Sequence, residues 1–160
     1  MFKTKNDLSE EVRVKVIELL NARLADAIDL QTQTKQAHWN VKGPNFIGLH
    51  ELFDRINEDV EDNVDDIAER VVKLGGVAEG TVRTAAKRST LSEYPAKTVD
   101  GRSHVESLSS ALAAFGKSVR KAITDANALG DLDTANLFTE ISCGIDKWLW
   151  SVEAHQQAER

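Results

Sequence analysis

His50 and Asp54 stand four residues apart, one turn of a helix, and eleven residues beyond Asp54 the pair Asp65 and Glu69 repeats that spacing. His38 precedes His50 by twelve residues, across the turn-forming pair Gly43-Pro44. Two imidazoles with three carboxylates make a mixed nitrogen and oxygen ligand set, which suits iron and its neighbours in the first transition row. The plain alternative is a solvated acidic face, the usual role of a charge run on a helix. The two histidines tip the balance, and crowding adds to it. His50, Asp54, Glu58, Glu61, Asp62, Asp65 and Glu69 fall on one arc of a helical wheel, with only Arg55, Arg70 and Lys73 to offset them within the helix. Like charges one turn apart destabilise a helix by tenths of a kcal/mol each, and a cation between them would relieve that strain.

The rise of the helix limits what one chain can do with these groups. From Asp54 to Asp65 is about 16 Å at roughly 1.5 Å per residue, whereas metal–ligand bonds are only about 2 Å long. His50/Asp54 and Asp65/Glu69 therefore cannot hold one ion within a single chain. A second copy lying antiparallel across a two-fold axis would bring one chain's His50/Asp54 beside the other's Asp65/Glu69. The axis would pass near Asp59 and Val60, giving two equivalent sites per interface and none in a monomer.

Four long helices are expected to carry these residues. The first begins near Asp7, with Glu10 as its capping-box partner, and stops at Gly43-Pro44; Val16, Ile17, Leu20, Leu24 and Ile28 recur along it at helical spacing. The second runs from about Asn45 to Leu74 and ends on Gly75-Gly76, which supply left-handed backbone cheaply. On its wheel Leu49, Leu52, Phe53, Ile56, Val60, Val64, Ile67, Val71 and Leu74 share the arc beside the acids and face a core. Residues 77–102 form a crossover too long for a turn, with a short helix expected over 82–87. The third helix opens on Ser103-His104-Val105-Glu106 and ends at Gly130. The fourth opens near Asp131 and carries Leu137, Ile141, Ile145, Trp148, Leu149 and Val152 toward the C-terminus. Two hairpins and one long crossover describe an all-α, ferritin-like four-helix bundle. It spans residues 1–160 as one domain, with residues 1–8 as a short tail.

Composition narrows the function classes. A charged content of 29% and a hydrophobic content of 41% are ordinary for a soluble helical protein. No apolar run reaches a membrane span, and Met1-Phe2-Lys3-Thr4-Lys5-Asn6-Asp7 lacks the apolar core of a signal peptide, so the expected location is the cytoplasm. The single cysteine, Cys143, has no partner for an internal disulfide; it is expected to be a small buried core residue. A net charge of −6 suits attraction of cations and works against nonspecific DNA binding.

Ala37-His38-Trp39-Asn40-Val41-Lys42-Gly43-Pro44-Asn45-Phe46, then Leu49-His50-Glu51 and Asp54, then Asp65-Asp66-Ile67-Ala68-Glu69-Arg70 and Leu74-Gly75-Gly76, closely resembles the signature of the Dps family, the miniferritins of the ferritin-like superfamily. The similarity extends over essentially the whole chain and includes Asp146-Lys147-Trp148-Leu149-Trp150. It implies a hollow spherical dodecamer that oxidises Fe(II) with hydrogen peroxide or dioxygen, stores ferric mineral in its cavity and protects against oxidative damage. The implied ferroxidase ligands are His38, His50 and Asp54 of one subunit with Asp65 and Glu69 of its neighbour, and zinc is a surrogate for iron there. The same resemblance places Trp39 beside the irons as a quencher of reactive intermediates; the bland role for Trp39 is packing of the interhelical turn. It places iron pores near the start of the fourth helix, where Asp133, Asn136 and Glu140 share a face. Asn136 stands where the family has an acid, which leaves a weaker pore field or a pore of Asp131, Asp133 and Glu140. Glu51, Glu58 and Asp62 are expected to face the cavity and nucleate mineral.

Dps relatives often bind DNA through a lysine-rich terminal tail. Here only Lys3 and Lys5 precede the first helix, beside Asp7, Glu10 and Glu11, and Gln156-Gln157-Ala158-Glu159-Arg160 is not basic, so DNA binding is expected to be weak or absent. A full-size ferritin would use Glu-x-x-His pairs within one bundle, and the chain contains none. A DNA-compacting structural role fits poorly with the acidic charge, and a metal-free bundle is the remaining alternative. His104 is expected to be exposed in the first turn of its helix, His155 to complement a helix C-terminus, and Trp148 and Trp150 to be core or interface aromatics.

Overall fold

The computed structural model describes residues 1–157; of the C-terminal segment read above as non-basic, residues 158–160 lie outside it. Five helices follow in order: α1 (Glu10–Asn40), α2 (Phe46–Lys73), α3 (Val82–Arg88), α4 (Gly101–Ala128) and α5 (Leu132–Glu153). α1 packs along α2 and α4 along α5, and the two hairpins meet through α1–α4 and α2–α5 contacts. Among the described residues there is no β-strand, only an isolated bridge between Lys42 and Asp100. This is the ferritin-like bundle expected from the sequence, short crossover helix included.

Periodicity made the core predictable. On α2, Leu49, Phe53, Ile56, Val60, Ile67, Val71 and Leu74 are buried, while Leu52 and Val64 pack on the core's edge. Phe53, Phe115 and Phe138 are its largest fully enclosed side chains. Truncating any of them to alanine removes about 3–5 kcal/mol, the usual cost of deleting a buried ring.

Helix starts are set by short polar side chains, and two differ from expectation. Ser9, not Asp7, caps α1: its hydroxyl accepts from Val12 N at 3.3 Å. Asn6 forms a local turn with Leu8 N, which leaves Asp7 before the helix. Asp100, not Ser103, caps α4 by accepting from Ser103 N at 2.9 Å. His104 falls in phase with the buried Leu108, Ala111 and Phe115, so the histidine expected at the surface is fully buried. Cys143, expected in the core, is exposed; it lies two residues, about 200° of helix, from the buried Ile141 and Ile145. Trp148 is buried, and the same phase difference leaves Trp150 exposed.

The crossover is bolted to α1 rather than looping free. The buried Asp26 carboxylate accepts from the backbone N and hydroxyl of Thr90, and Asp29 accepts from Ser89 Oγ at 2.6 Å. Gln33 donates to Ser92 O at 3.0 Å. The N-terminal tail is fastened too. Phe2 N donates to Gly75 O at 2.8 Å, and the buried Arg13 guanidinium donates to Leu74 O and Leu8 O. Gly75 has φ +84°, and a Cβ built there would lie 2.6 Å from Phe2 O. Gly75→Ala should therefore cost about 1–3 kcal/mol, the range for a non-glycine residue held in left-handed backbone. It should also raise amide exchange in residues 1–8. An unchanged urea midpoint together with unchanged exchange would show that this contact does not hold the tail.

Candidate metal centre

The end of α1 and the start of α2 are joined by an exchange of hydrogen bonds. His38 Nδ1 donates to His50 O and His50 Nδ1 donates to His38 O, each at 2.9 Å. A carbonyl only accepts, so both rings carry their proton on Nδ1, and both Nε2 atoms keep a lone pair for a metal. The rings stack with centroids 3.8 Å apart, and Phe46 packs against His50 at 5.0 Å. Asp54, one turn beyond His50, has Oδ1 at 3.8 Å from His38 Nδ1. Three of the five expected ligands thus meet at one corner of the bundle.

Asp65 and Glu69 are exposed on the same helix, past the middle of α2. Among the described residues no three His, Cys, Asp or Glu side chains within the chain are grouped to hold a metal ion. Within one chain the two clusters stay separate.

Each cluster has its own lysine, which reading the sequence for ligands missed. Lys35 on α1 donates to Asp54, holding that carboxyl below its ordinary range, with His38 and His50 adding to the effect. Lys73 donates to Glu69 Oε2 at 2.8 Å and lowers it likewise. Lys73 lies four residues after Glu69, a spacing that could have signalled the pair. Lys35 lies three before His38 on α1, and only the α1–α2 packing reveals its partner.

Trp39 is 67% exposed and lies with Lys35, Gln36 and Tyr94 along a groove of about 960 Å³ between α1 and the crossover. Glu51, Glu58 and Asp62 are exposed. At the start of α5, Asp131 cannot serve as an open pore acid: it is 2% exposed, caps the helix, and pairs with Arg70 at 2.8 Å. Asp133 remains exposed, and Glu140 accepts from Asn136 at 3.4 Å.

Two antiparallel helix pairs, a pinned crossover and paired His and carboxylate groups on inner helix ends define a ferritin-like protein. A family profile described as a ferritin-like domain matches residues 17–160. The chain belongs to the Dps family. It is 44% identical over 155 residues to the DNA protection during starvation protein of Agrobacterium fabrum, covering 97% of this chain and 96% of that one. The solved tetragonal form of Mycobacterium smegmatis Dps superimposes with a TM-score of 0.93 at 32% identity, over 98% of this chain and 95% of that one. The Dps of Microbacterium arborescens, solved in the high iron form, gives 0.86 at 31% identity, over 92% and 95%.

If a metal takes Asp54, it displaces Lys35. Exposed ion pairs contribute about 0.2–1 kcal/mol, so Lys35→Met should tighten Zn(II) binding about two- to fivefold. Calorimetric titration of the assembled protein measures this; weaker or unchanged binding in the variant would refute the competition.

Proposed function

We propose that this protein oxidises Fe(II) with hydrogen peroxide or dioxygen at sites shared between subunits and stores the ferric product inside a hollow dodecamer. The observation that carries the proposal is the reciprocal His38–His50 lock, which engages both Nδ1 atoms and leaves both Nε2 atoms out of that exchange, with Asp54 beside the His38 ring. One chain then offers two nitrogens and a carboxylate, and Asp65 and Glu69 of a neighbour complete the set. The relative solved in a high iron form supports iron as the substrate, and zinc fits the same donors as a surrogate.

Carboxylate oxygens are hard ligands and favour the ferric product. Two irons held together can pass two electrons to one peroxide: two Fe(II), one H2O2 and two protons give two Fe(III) and two waters. That stoichiometry releases no hydroxyl radical, and it is the chemical basis for protecting the cell, and its DNA, from oxidation. Asp133 and Glu140 would draw cations toward the shell, and Glu51, Glu58 and Asp62 would seed mineral within it. The cytoplasm is the proposed site of action; among the described residues no helix is long and apolar enough to cross a membrane.

Shared sites give the proposal a sharp test. Variant His50→Ala/Asp54→Ala and variant Asp65→Ala/Glu69→Ala should each oxidise iron slowly while assembling normally. Dissociated, mixed in equal amounts and reassembled, they should recover about a quarter of wild-type activity: half the two-fold interfaces join unlike chains, and each regenerates one of two sites. No recovery in verified hybrids, measured by ferric absorbance, would refute shared sites.

DNA binding is proposed to be weak or absent. Lys3 and Lys5 are the only basic residues of a tail fastened at Phe2 and Leu8, so few counterions are available for release. A gel-shift assay at physiological salt should show free DNA; a retained band resistant to added salt would overturn this.

A further inference from the structure

Tyr94, the only tyrosine in the chain, donates its hydroxyl to His104 Nδ1 across 2.6 Å. The proposed iron chemistry gives this contact no role. His104 is fully buried, with Phe53 on one side at 6.3 Å between centroids and the Tyr94 ring on the other at 6.0 Å. Its Nε2 is enclosed, and the backbone carbonyls of Thr98 and Asn40 favour a proton on the ring. Burial raises the phenol pKa and lowers that of the imidazole. At neutral pH the pair therefore rests as intact phenol donor and neutral acceptor.

Tyr94 also lines the groove that holds the exposed Trp39. A phenol that loses an electron becomes a strong acid, and a neutral imidazole within hydrogen-bond reach takes its proton without rearrangement. We propose that Tyr94 and His104 are a proton-coupled redox pair that refills an electron hole formed at Trp39. Trp39 radical cation, tyrosine and neutral imidazole become tryptophan, tyrosyl radical and imidazolium. One electron passes from phenol to indole, the phenolic O–H bond breaks, and an N–H bond forms at His104 Nδ1. The source of the hole is a one-electron oxidant of the hydroxyl-radical class, which arises where Fe(II) meets peroxide singly; that physiological role rests on the iron reading above, whereas the transfer itself does not.

The test therefore omits iron. Pulse radiolysis with azide radical oxidises tryptophan in the metal-free assembled protein, and absorbance follows passage of the hole to tyrosine. In the wild type the tyrosyl band should grow as the tryptophanyl band decays. Tyr94→Phe should abolish that growth and Trp39→Phe should reduce it. His104→Gln keeps a hydrogen-bond acceptor that cannot take a proton, and should slow growth at least about tenfold, a factor equal to about 1.4 kcal/mol of barrier. Deuterated water should slow the wild type, a readout that stands even where His104→Gln fails to assemble. Absence of tyrosyl growth in the wild type, an equal rate in folded His104→Gln, or no effect of deuterium would each overturn the proposal. Failure of ferroxidase activity would leave these outcomes unchanged, so the two readings fail separately.

Discussion

Each imidazole of the His38/His50 pair gives its Nδ1 proton to the other's backbone carbonyl, and much of the corner around them follows from that exchange. α1 has just ended, so His38 O is one of the carbonyls without a partner inside the helix, and His50 supplies the missing donor. The register between α1 and α2 is thereby fixed, Gly43 turns the chain at φ +118°, and Lys42 N is free to bond Val99 O of the crossover. The ring orientation is settled by backbone, not by a metal. Rings held this way are ordered by the fold itself, before any ligand is considered.

The apolar half of α2 was readable because its period of 3.6 residues is a property of the sequence alone, and Leu49 through Leu74 fall inward as the wheel requires. Where structure and expectation differ, helical phase overrides the preference of the residue type. Cysteine prefers the interior, yet Cys143 lies half a turn from Ile141 and Ile145 and has no interior to enter. His104 is likewise a matter of phase: it shares the inward arc of α4 with Leu108, Ala111 and Phe115. Lys35 and Asp54 are far apart in sequence and become partners only when α1 and α2 pack. Helix rise alone separates Asp54 from Asp65 within one chain, by about 16 Å at roughly 1.5 Å per residue.

Both carboxylate clusters carry a lysine on an exposed ion pair, with Lys35 on Asp54 and Lys73 on Glu69. Such pairs are weak in water, so each lysine neutralises its carboxylate at rest and yields easily to a more strongly held cation. The acidic arc of α2 is in this way kept tolerable to the fold. Arg70 does the opposite at Asp131: buried with its partner and the helix cap, it takes that carboxylate out of circulation.

Phe2 on Gly75 and Arg13 on Leu8 and Leu74 make the first residues part of the body's surface. A loose arm samples a volume set by its contour length and can seize a polyanion before the particle itself arrives. An arm that is stitched down has no such capture radius. Lys3 and Lys5 are thus presented from fixed positions rather than from a swept volume.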